Sequence, residues 1–193
     1  MGNKGLQTGQ ELTVNGGNDK TQYMVSFGYV KQNGLMKHNH YDRYNGRVNL
    51  TTELAKNLTL TTRLGGVVSK RSEPSTPGGM DSAGFKAFSS NALRFPGLWA
   101  TKLEDGSYGL GPKVLGTPLA WLDSGSFYDE NFDKFRSNVE LAFTPVKGLT
   151  LKAIGGYNYT GQQIRHYRSA MEITSGKKLG PSSLSDTMYK TVY

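Results

Sequence analysis

Apolar and polar side chains alternate with a period of two along several long stretches of this chain. In residues 21–35, one face carries a series of apolar and aromatic side chains: Tyr23, Val25, Phe27 and Tyr29. Such alternation predicts a β-strand with one apolar and one polar face. The same pattern predicts further strands over residues 10–16, 41–55, 57–70, 132–145 and 149–161. We therefore expect an all-β fold of about six antiparallel, up-and-down strands.

The predicted strands are joined by connections of very unequal length. Tight turns lie around Gly17, Lys56 and Lys147, whereas the stretch 71–130 contains no comparable alternation. Connections longer than about 12–15 residues are usually functional or disordered. This long loop holds both tryptophans and many other aromatic residues, so we expect it to fold. Within it, residues 82–93 predict a short helix, with Asp81 or Ser82 as the N-cap.

The length of the predicted strands distinguishes between two kinds of β protein. Strands in soluble proteins usually have about 5–6 residues, whereas a membrane-spanning strand needs about 9–11 and turns its apolar face to lipid. The strands predicted here are long, and their polar faces carry charged residues that suit a water-filled interior: Arg47, Glu53, Arg63, Arg136, Glu140 and Lys152. The pattern therefore predicts part of the wall of a large outer-membrane β-barrel, with 71–130 as an extracellular loop.

Composition and charge narrow the functional classes. The chain has no cysteine, which excludes disulfides and thiolate metal sites. It has no apolar run long enough for a transmembrane helix, and its first residues lack the apolar core of a signal peptide. The net charge is +8, but the basic residues are scattered and no nucleic-acid motif accompanies them. We expect no nucleic-acid partner.

Three motifs in order carry a resemblance to a known family. The chain reads "GGNDKTQYMVSFGYVKQNGLMK" over residues 16–37, then "YDRYNGRVNL" over 41–50, then "LTLTTRLGG" over 58–66. The matching positions within these stretches are Gly16–Gly34, Asp42–Leu50 and Leu58–Gly65. It resembles the SusC/RagA-like TonB-dependent outer-membrane transporters, in which a Gly-Gly-Asn turn leads into a tyrosine-rich strand and then into two similar strands. The hairpin "NVELAFTPVKGLTLKAIGGYNY" is similar to the next hairpin of that family.

The resemblance implies a barrel of about 22 strands, plugged by an N-terminal domain. It also implies location in the bacterial outer membrane and uptake of large nutrients, typically oligosaccharides or other glycans. The implied partners are a SusD-like surface lipoprotein, TonB and the lipid of the outer membrane. Residues 1–193 show no signal peptide, TonB box or plug, and the segment after Arg165 is too polar to predict a final strand. We therefore expect a single fragment of the barrel domain.

No motif in the chain predicts an enzyme or a cofactor. The histidines in "HNHYD", His38 and His40, are typical of a polar loop at a strand end, because zinc needs three or four close ligands. The glycine-rich stretches lack the phosphate-loop pattern, and no serine lies in a nucleophile-elbow motif. The carboxylates of Glu104 and Asp105 are typical of a turn. We expect no catalysis, no metal and no cofactor.

The best candidates for substrate binding are aromatic residues of the long loop. Aromatic faces stack on the apolar faces of sugar rings. The candidate residues are Trp99, Tyr108, Trp121, Phe127 and Tyr128. Each of them has the alternative of packing within the loop itself.

Two functions remain open at this point. The first is a segment of a transporter that binds and imports nutrients. The second is a soluble β-rich carbohydrate-binding module. The two differ in where the apolar faces point. Detergent-dependent solubility would favour the barrel wall, and a monomer with a buried apolar core would favour the module.

Overall fold

The computed structural model describes residues 4–76, 84–111, 115–174 and 177–193. Its main element is a seven-stranded antiparallel sheet in the order β1-β2-β3-β4-β5-β6-β9. All sequential neighbours from β1 to β6 pair as hairpins. The strands are β1 (Leu6–Gly17), β2 (Thr21–Asn33), β3 (His40–Ala55), β4 (Leu58–Pro74), β5 (Phe127–Val146), β6 (Leu149–Arg168) and β9 (Ser183–Val192). The predicted all-β, antiparallel fold class is confirmed.

The remaining elements lie in the connections. Helix α1 (Gly84–Leu93) and helix α2 (Pro118–Asp123) fall between β4 and β5. A small hairpin of β7 (Met171–Glu172) and β8 (Lys178–Leu179) falls between β6 and β9. The short helix predicted at 82–93 is therefore present, and its predicted N-cap residues lie outside the described residues. The loop between β4 and β5 is residues 75–126, because both strands extend beyond the predicted bounds.

Strand β9 was not predicted, and the expectation that nothing after Arg165 forms a strand was wrong. Residues Ser183–Val192 pair with the C-terminal half of β6, from Tyr159↔Val192 to Arg168↔Ser183. The sequence of β9 alternates poorly, because Asp186 and Lys190 lie on the same face as Leu184 and Met188. The strand forms because the open edge of β6 offers backbone donors and acceptors to pair with.

The tight turns all lie at one end of the sheet, as predicted. In the first, the Asn18 side chain accepts hydrogen bonds from the backbone N–H groups of Lys20 (3.0 Å) and Thr21 (2.9 Å). In the turn between β5 and β6, Gly148 has φ +94°, a left-handed conformation that favours glycine. The long connections, 34–39, 75–126 and 169–182, lie at the opposite end, which we call the upper end of the sheet.

The register confirms the predicted division between the two faces of the sheet. Arg47 lies opposite Gly65, which lies opposite Arg136, and Thr61 lies opposite Glu140 on the same polar face. On the other face Val48 pairs with Leu64, and Thr62 pairs with Val139. Directly opposed residues of an antiparallel pair point to the same side, so the predicted charged set and the predicted apolar set lie on opposite faces of the sheet.

The apolar face forms a band of limited height. On β4 the band runs from Leu58 to Val68, and Lys70 is the next residue on that face. At about 3.3 Å per residue this is about 33 Å along the strand, or about 25 Å across a membrane for a tilt of about 40°. Tyr29 and Tyr44 stack near the upper border with ring centroids 4.8 Å apart. Aromatic rings at such a border are typical of barrel strands.

A patch of glycines lies in the middle of the sheet, on the neighbouring strands β3 and β4. On the apolar face Gly46 pairs with Gly66, and this pair lies between Phe27 and Phe135. On the polar face the neighbouring Gly65 lies between Arg47 and Arg136. The sheet is therefore bare on both faces at this point.

The buried apolar core lies outside the seven-stranded sheet. Among the described residues, the buried hydrophobic side chains are Phe88, Ala120, Trp121, Met171 and Ile173. All of them belong to the long connections. We call the structure formed by α1, α2, the segment 94–111 and β7 to Thr174 the cap. None of the helices in the described ranges is long and apolar enough to cross a membrane.

Candidate functional site

The cap is built from two connections that are distant in sequence. Phe88 of α1 and Trp121 of α2 meet edge to face, with ring centroids 6.1 Å apart and planes at 85°. Met171 and Ile173 complete the cluster from the connection after β6. The backbone adds to the packing, because the N–H of Thr174 donates to the carbonyl of Tyr108 at 3.2 Å. The cap therefore links the loop 75–126 to the following long connection.

Trp121, one of the predicted binding residues, is an internal residue of the cap. Only 4% of it is exposed, and its Nε1 donates to the carbonyl of Leu115 at 2.7 Å. Helix α2 is positioned by Thr117, whose hydroxyl accepts from the backbone N–H of Ala120 and acts as the N-cap. In this arrangement Trp121 packs the cap and presents no face to solvent.

Tyr108 connects the cap to another loop of the sheet. Its hydroxyl donates to Asp123 Oδ2 at 2.9 Å, and Asp123 Oδ1 accepts from Lys37 Nζ at 3.0 Å. Burial, followed by the Asp123 carboxylate, raises the pKa of Tyr108. The hydrogen bond from Lys37 holds the pKa of Asp123 below its ordinary value. Because Lys37 lies in the connection between β2 and β3, this chain of contacts ties all the long connections together.

Trp99 is the predicted binding residue that the structure leaves accessible on the cap. It is 44% exposed and lies near two strongly exposed leucines in the sequence, Leu93 and Leu98. It precedes a small hairpin in which the backbones of Lys102 and Tyr108 form an isolated antiparallel β-bridge. At the tip of the hairpin Asp105 accepts hydrogen bonds from Ser107, and Gly106 has φ +81°, so residues 104–106 form the predicted turn. The ammonium group of Lys102 also lies 5.2 Å from the centroid of the Tyr108 ring.

Phe127 and Tyr128 lie on β5 and point to opposite faces of the sheet. Phe127 opposes Tyr167, with ring centroids 5.5 Å apart, on the same face as the apolar band. Tyr128 opposes His166, with centroids 5.8 Å apart, on the polar face. Since neighbouring strand residues alternate, these two rings cannot stack on one ligand. The predicted aromatic set is therefore distributed over separate surfaces.

A polar network links the ends of β4, β5 and β6 from which the long connections begin. Ser75 Oγ and His166 Nε2 are 2.7 Å apart, and Ser72 Oγ donates to Asp129 Oδ1 at 2.5 Å. Arg71 binds Glu130 at 2.6 Å and Glu73 at 3.3 Å. Burial, followed by the charge of Arg168, lowers the pKa of His166. The network fixes the strand ends from which the cap arises.

The polar face of the sheet holds a cluster of cations that the sequence reasoning did not treat as a site. We call it the basic strip, and it consists of Arg43, Arg47, Arg63, Lys134 and Arg136. Several of these residues and Gly65 line a concavity of 330 Å³. The sequence had placed Arg47, Arg63 and Arg136 on the polar face. What was missing was the cross-strand register, which brings Arg47 and Arg136 to either side of Gly65.

No cluster of metal ligands occurs among the residues that the structure describes. His38 has φ +60° in the connection between β2 and β3, and His40 begins β3. His166 is engaged with Ser75 at the upper end of the sheet.

Comparisons with known proteins identify relatives of this arrangement. No family model matches the chain. TonB-dependent receptor P3 of Formosa agariphila is 25% identical over 161 residues, which cover 82% of this chain and 16% of the receptor. TonB-dependent receptor P39 of the same organism is 24% identical over 176 residues, covering 90% of this chain and 16% of that receptor. The chain thus spans about a sixth of the length of these relatives.

Solved structures share the fold. The structure of the RagAB peptide transporter matches 96% of this chain and 21% of the RagAB chain, with a TM-score of 0.69 and 20% identity. The RagAB peptide importer in the open-open state matches 96% of this chain and 20% of its own, with a TM-score of 0.71 and 21% identity. At this level of identity the matches establish the fold.

These findings place the fold. The sheet has the fold of a segment of the solved transporter chains, with the cap on the side of the long connections. The resemblance to SusC/RagA-like TonB-dependent transporters is supported by the named receptors and by the solved transporter structures. TonB-dependent receptors are outer-membrane proteins and not enzymes, in agreement with the predicted location and with the expected lack of catalysis.

Proposed function

We propose that this chain is part of the barrel of a TonB-dependent transporter that imports nutrients across the outer membrane. The observation that carries the proposal is the uncovered apolar band. Leu12, Phe27 and Val68 are each more than half exposed, well inside long paired strands. Such a face is stable in lipid, where no water contacts the apolar groups, while the opposite face lines a wet interior.

The proposed cargo is an oligosaccharide or another glycan. The support is the resemblance of the motifs to SusC/RagA-like transporters and the amide-rich and arginine-rich polar face. The solved relatives are described as a peptide transporter and a peptide importer, so peptide is the competing class of cargo. In the complete protein the proposed partners are a SusD-like surface lipoprotein and TonB.

The cap is proposed to lie outside the cell and to help retain the cargo. Loops on the side of long connections face the exterior in outer-membrane barrels. Of the aromatic residues proposed to bind substrate, Trp99 has the best placement because its ring is accessible. The ring of Tyr108 is in contact with the ammonium group of Lys102, and Trp121 contributes by packing the cap. Phe127 and Tyr128 lie at the start of β5, beneath the cap.

The alternative, a soluble carbohydrate-binding module, needs a different distribution of apolar side chains. A soluble sandwich buries the apolar face of each sheet against a second sheet. In the described residues the apolar face of the seven-stranded sheet is covered by no other element, and the buried cluster lies in the cap. This observation favours the barrel wall.

The test is nutrient uptake by the full-length protein that contains this chain. We would express it with its lipoprotein partner in a bacterium with and without functional TonB, and supply labelled maltotetraose, tetragalacturonate and tetra-alanine. Uptake of an oligosaccharide that requires TonB supports the proposal. TonB-dependent uptake of the peptide alone transfers the proposal to peptide cargo, and uptake of no probe contradicts the transport function.

A further inference from the structure

The basic strip is arranged around an open notch in the polar face. Arg47 and Arg136 belong to β3 and β5, and the strand between them contributes Gly65 to the same row. Strands lie about 4.8 Å apart, so the two arginines start about 9.6 Å apart across the row. A Cβ at Gly65 would meet only the carbonyl oxygen of Gly46, at 4.0 Å. The floor of the notch is therefore backbone with free space above it.

Positive charge exceeds negative charge on this wall. In the described ranges, Arg43, Arg47, Lys134 and Arg136 take part in none of the ion pairs. Glu11 lines the same concavity. Glu140 is held by Lys152 at 2.8 Å and also interacts with Arg63. These carboxylates are too few to neutralise the strip.

The groups beside the cations are amides. A second concavity of 440 Å³ shares Arg47, Gly65 and Arg136 with the first, and side-chain amides line it: Asn49, Asn138 and Asn158. Guanidinium groups bind planar acid groups with paired hydrogen bonds. Amides both donate to and accept from hydroxyl groups. The combination matches a molecule that carries acid groups and hydroxyl groups in alternation.

We propose that the basic strip binds acidic oligosaccharides, meaning sugar chains with carboxylate or sulfate groups, during their passage along the wall. This inference rests on the proposed import function and adds the class of substrate. Arg47 and Arg136 hold acid groups on the two sides of Gly65, and the neighbouring asparagines hold ring hydroxyls. Gly65 leaves the space in which a sugar ring lies against the backbone.

The test is binding to the purified full-length protein in detergent, measured by calorimetry with tetragalacturonate and with the neutral maltotetraose. We expect tetragalacturonate to bind at least about tenfold more tightly, since charge-assisted hydrogen bonds are worth more than about 1.4 kcal/mol. The advantage should shrink as salt is raised. Equal affinities for the two probes would overturn the proposal.

Variants localise the effect. The double variant Arg47→Gln and Arg136→Gln should lose most of the preference for tetragalacturonate, and Gly65→Leu should weaken both probes by filling the notch. The matched control is Lys31→Gln with Lys70→Gln, which removes two cations from the opposite face and should change neither affinity. An unchanged preference in the arginine variant would overturn the proposal.

Two further readouts separate this inference from its rivals. If tetraglutamate binds as tightly as tetragalacturonate, the strip recognises acid groups without the sugar, which contradicts the proposal. A folded barrel shows a heat-dependent gel shift. If the arginine variant loses this shift while the variant Arg47→Lys with Arg136→Lys keeps it, the positive charges are needed to pair with groups of the protein itself. The proposal then also fails. Persisting TonB-dependent uptake of maltotetraose in either case leaves the transport function intact.

Discussion

The cap and the sheet place their apolar side chains in opposite environments. In the cap, Trp121 and Ile173 are almost completely buried, and the packing resembles that of a small soluble domain. In the sheet, Phe27 and Val68 are more than half exposed although each lies well inside a strand that is paired on both sides. One chain thus contains a part that folds by excluding water and a part whose outer surface needs lipid.

The difference shows which forces hold each part together. The sheet depends on backbone hydrogen bonds between long strands and on cross-strand side-chain pairs. The cap depends on a few large side chains that come from two connections. Substitutions should therefore destabilise the two parts independently, and the following predictions test that independence.

The largest effect is expected in the cap. Trp121→Ala should destabilise it by about 3–5 kcal/mol, the usual cost of removing a buried aromatic side chain. The measurement is the rate of trypsin cleavage after Arg94 or Lys102 in the full-length protein. Trp99→Ala is the matched control, because Trp99 is accessible and its loss should leave that rate unchanged. Equal protection of both variants would show that the cap is not held by its core.

A charge on the apolar face is expected to have the next largest effect, and only on the sheet. Leu64→Arg should destabilise insertion by about 2–4 kcal/mol, because the residue lies near the middle of the apolar band. Refolding into lipid vesicles at increasing urea concentration measures this change. Asn49→Arg places the same charge on the polar face and should cost far less. If the two variants behave alike, the assignment of the faces is wrong.

The link between the cap and the β2–β3 connection should contribute less. Lys37→Ala should cost about 0.2–1 kcal/mol, the range for ion pairs that remain largely in contact with water. The pKa of Asp123 is lowered in the folded cap, so this contribution is present above its ordinary value of 3.8 and is lost as the pH falls below that value. Proteolysis of the cap checks the sign. Cleavage by trypsin after Lys102 is measured near pH 7, and cleavage of the same loop by an acid-stable protease is measured as the pH falls to 3.

The smallest expected effect concerns His166 at the junction of the two parts. Its pKa is lowered in the folded protein, so folding favours the neutral ring. The stabilisation is present above the ordinary value of 6.5 and declines as the pH falls through the lowered folded value. NMR titration of the His166 ring should give a midpoint below 6.5, and His166→Gln should remove this pH dependence. A midpoint above 6.5 would contradict the burial of the ring.

The sequence predicted the sheet better than the cap, and the reason is physical. Alternation places each side chain on a face, so Arg47 and Val48 were assigned correctly without knowledge of their partners. Strand β9 was not predicted, because Asp186 and Lys190 interrupt the alternation of its apolar residues. It forms through its pairing with β6, which the local sequence does not reveal. The burial of Trp121 depends on Met171 and Ile173, which are distant in sequence. Local periodicity contains no information about such contacts.

The candidate site shows the same limit. The sequence identified aromatic residues by their chemistry and could not predict that Phe127 and Tyr128 lie on opposite faces of the sheet once β5 begins at Phe127. The basic strip was missed for a related reason. Its residues are ordinary polar-face positions one at a time, and they become a cluster only when the register aligns three strands.

The glycine patch has a mechanical consequence. Gly46 on β3 and Gly65 and Gly66 on β4 leave neighbouring positions on two strands without side chains. Side chains that crowd a concave surface resist bending, and glycine removes that resistance, which is why sheets bend at glycines. The wall should therefore have its lowest bending stiffness at this patch, so that a squeeze on the barrel bends β3 and β4 there.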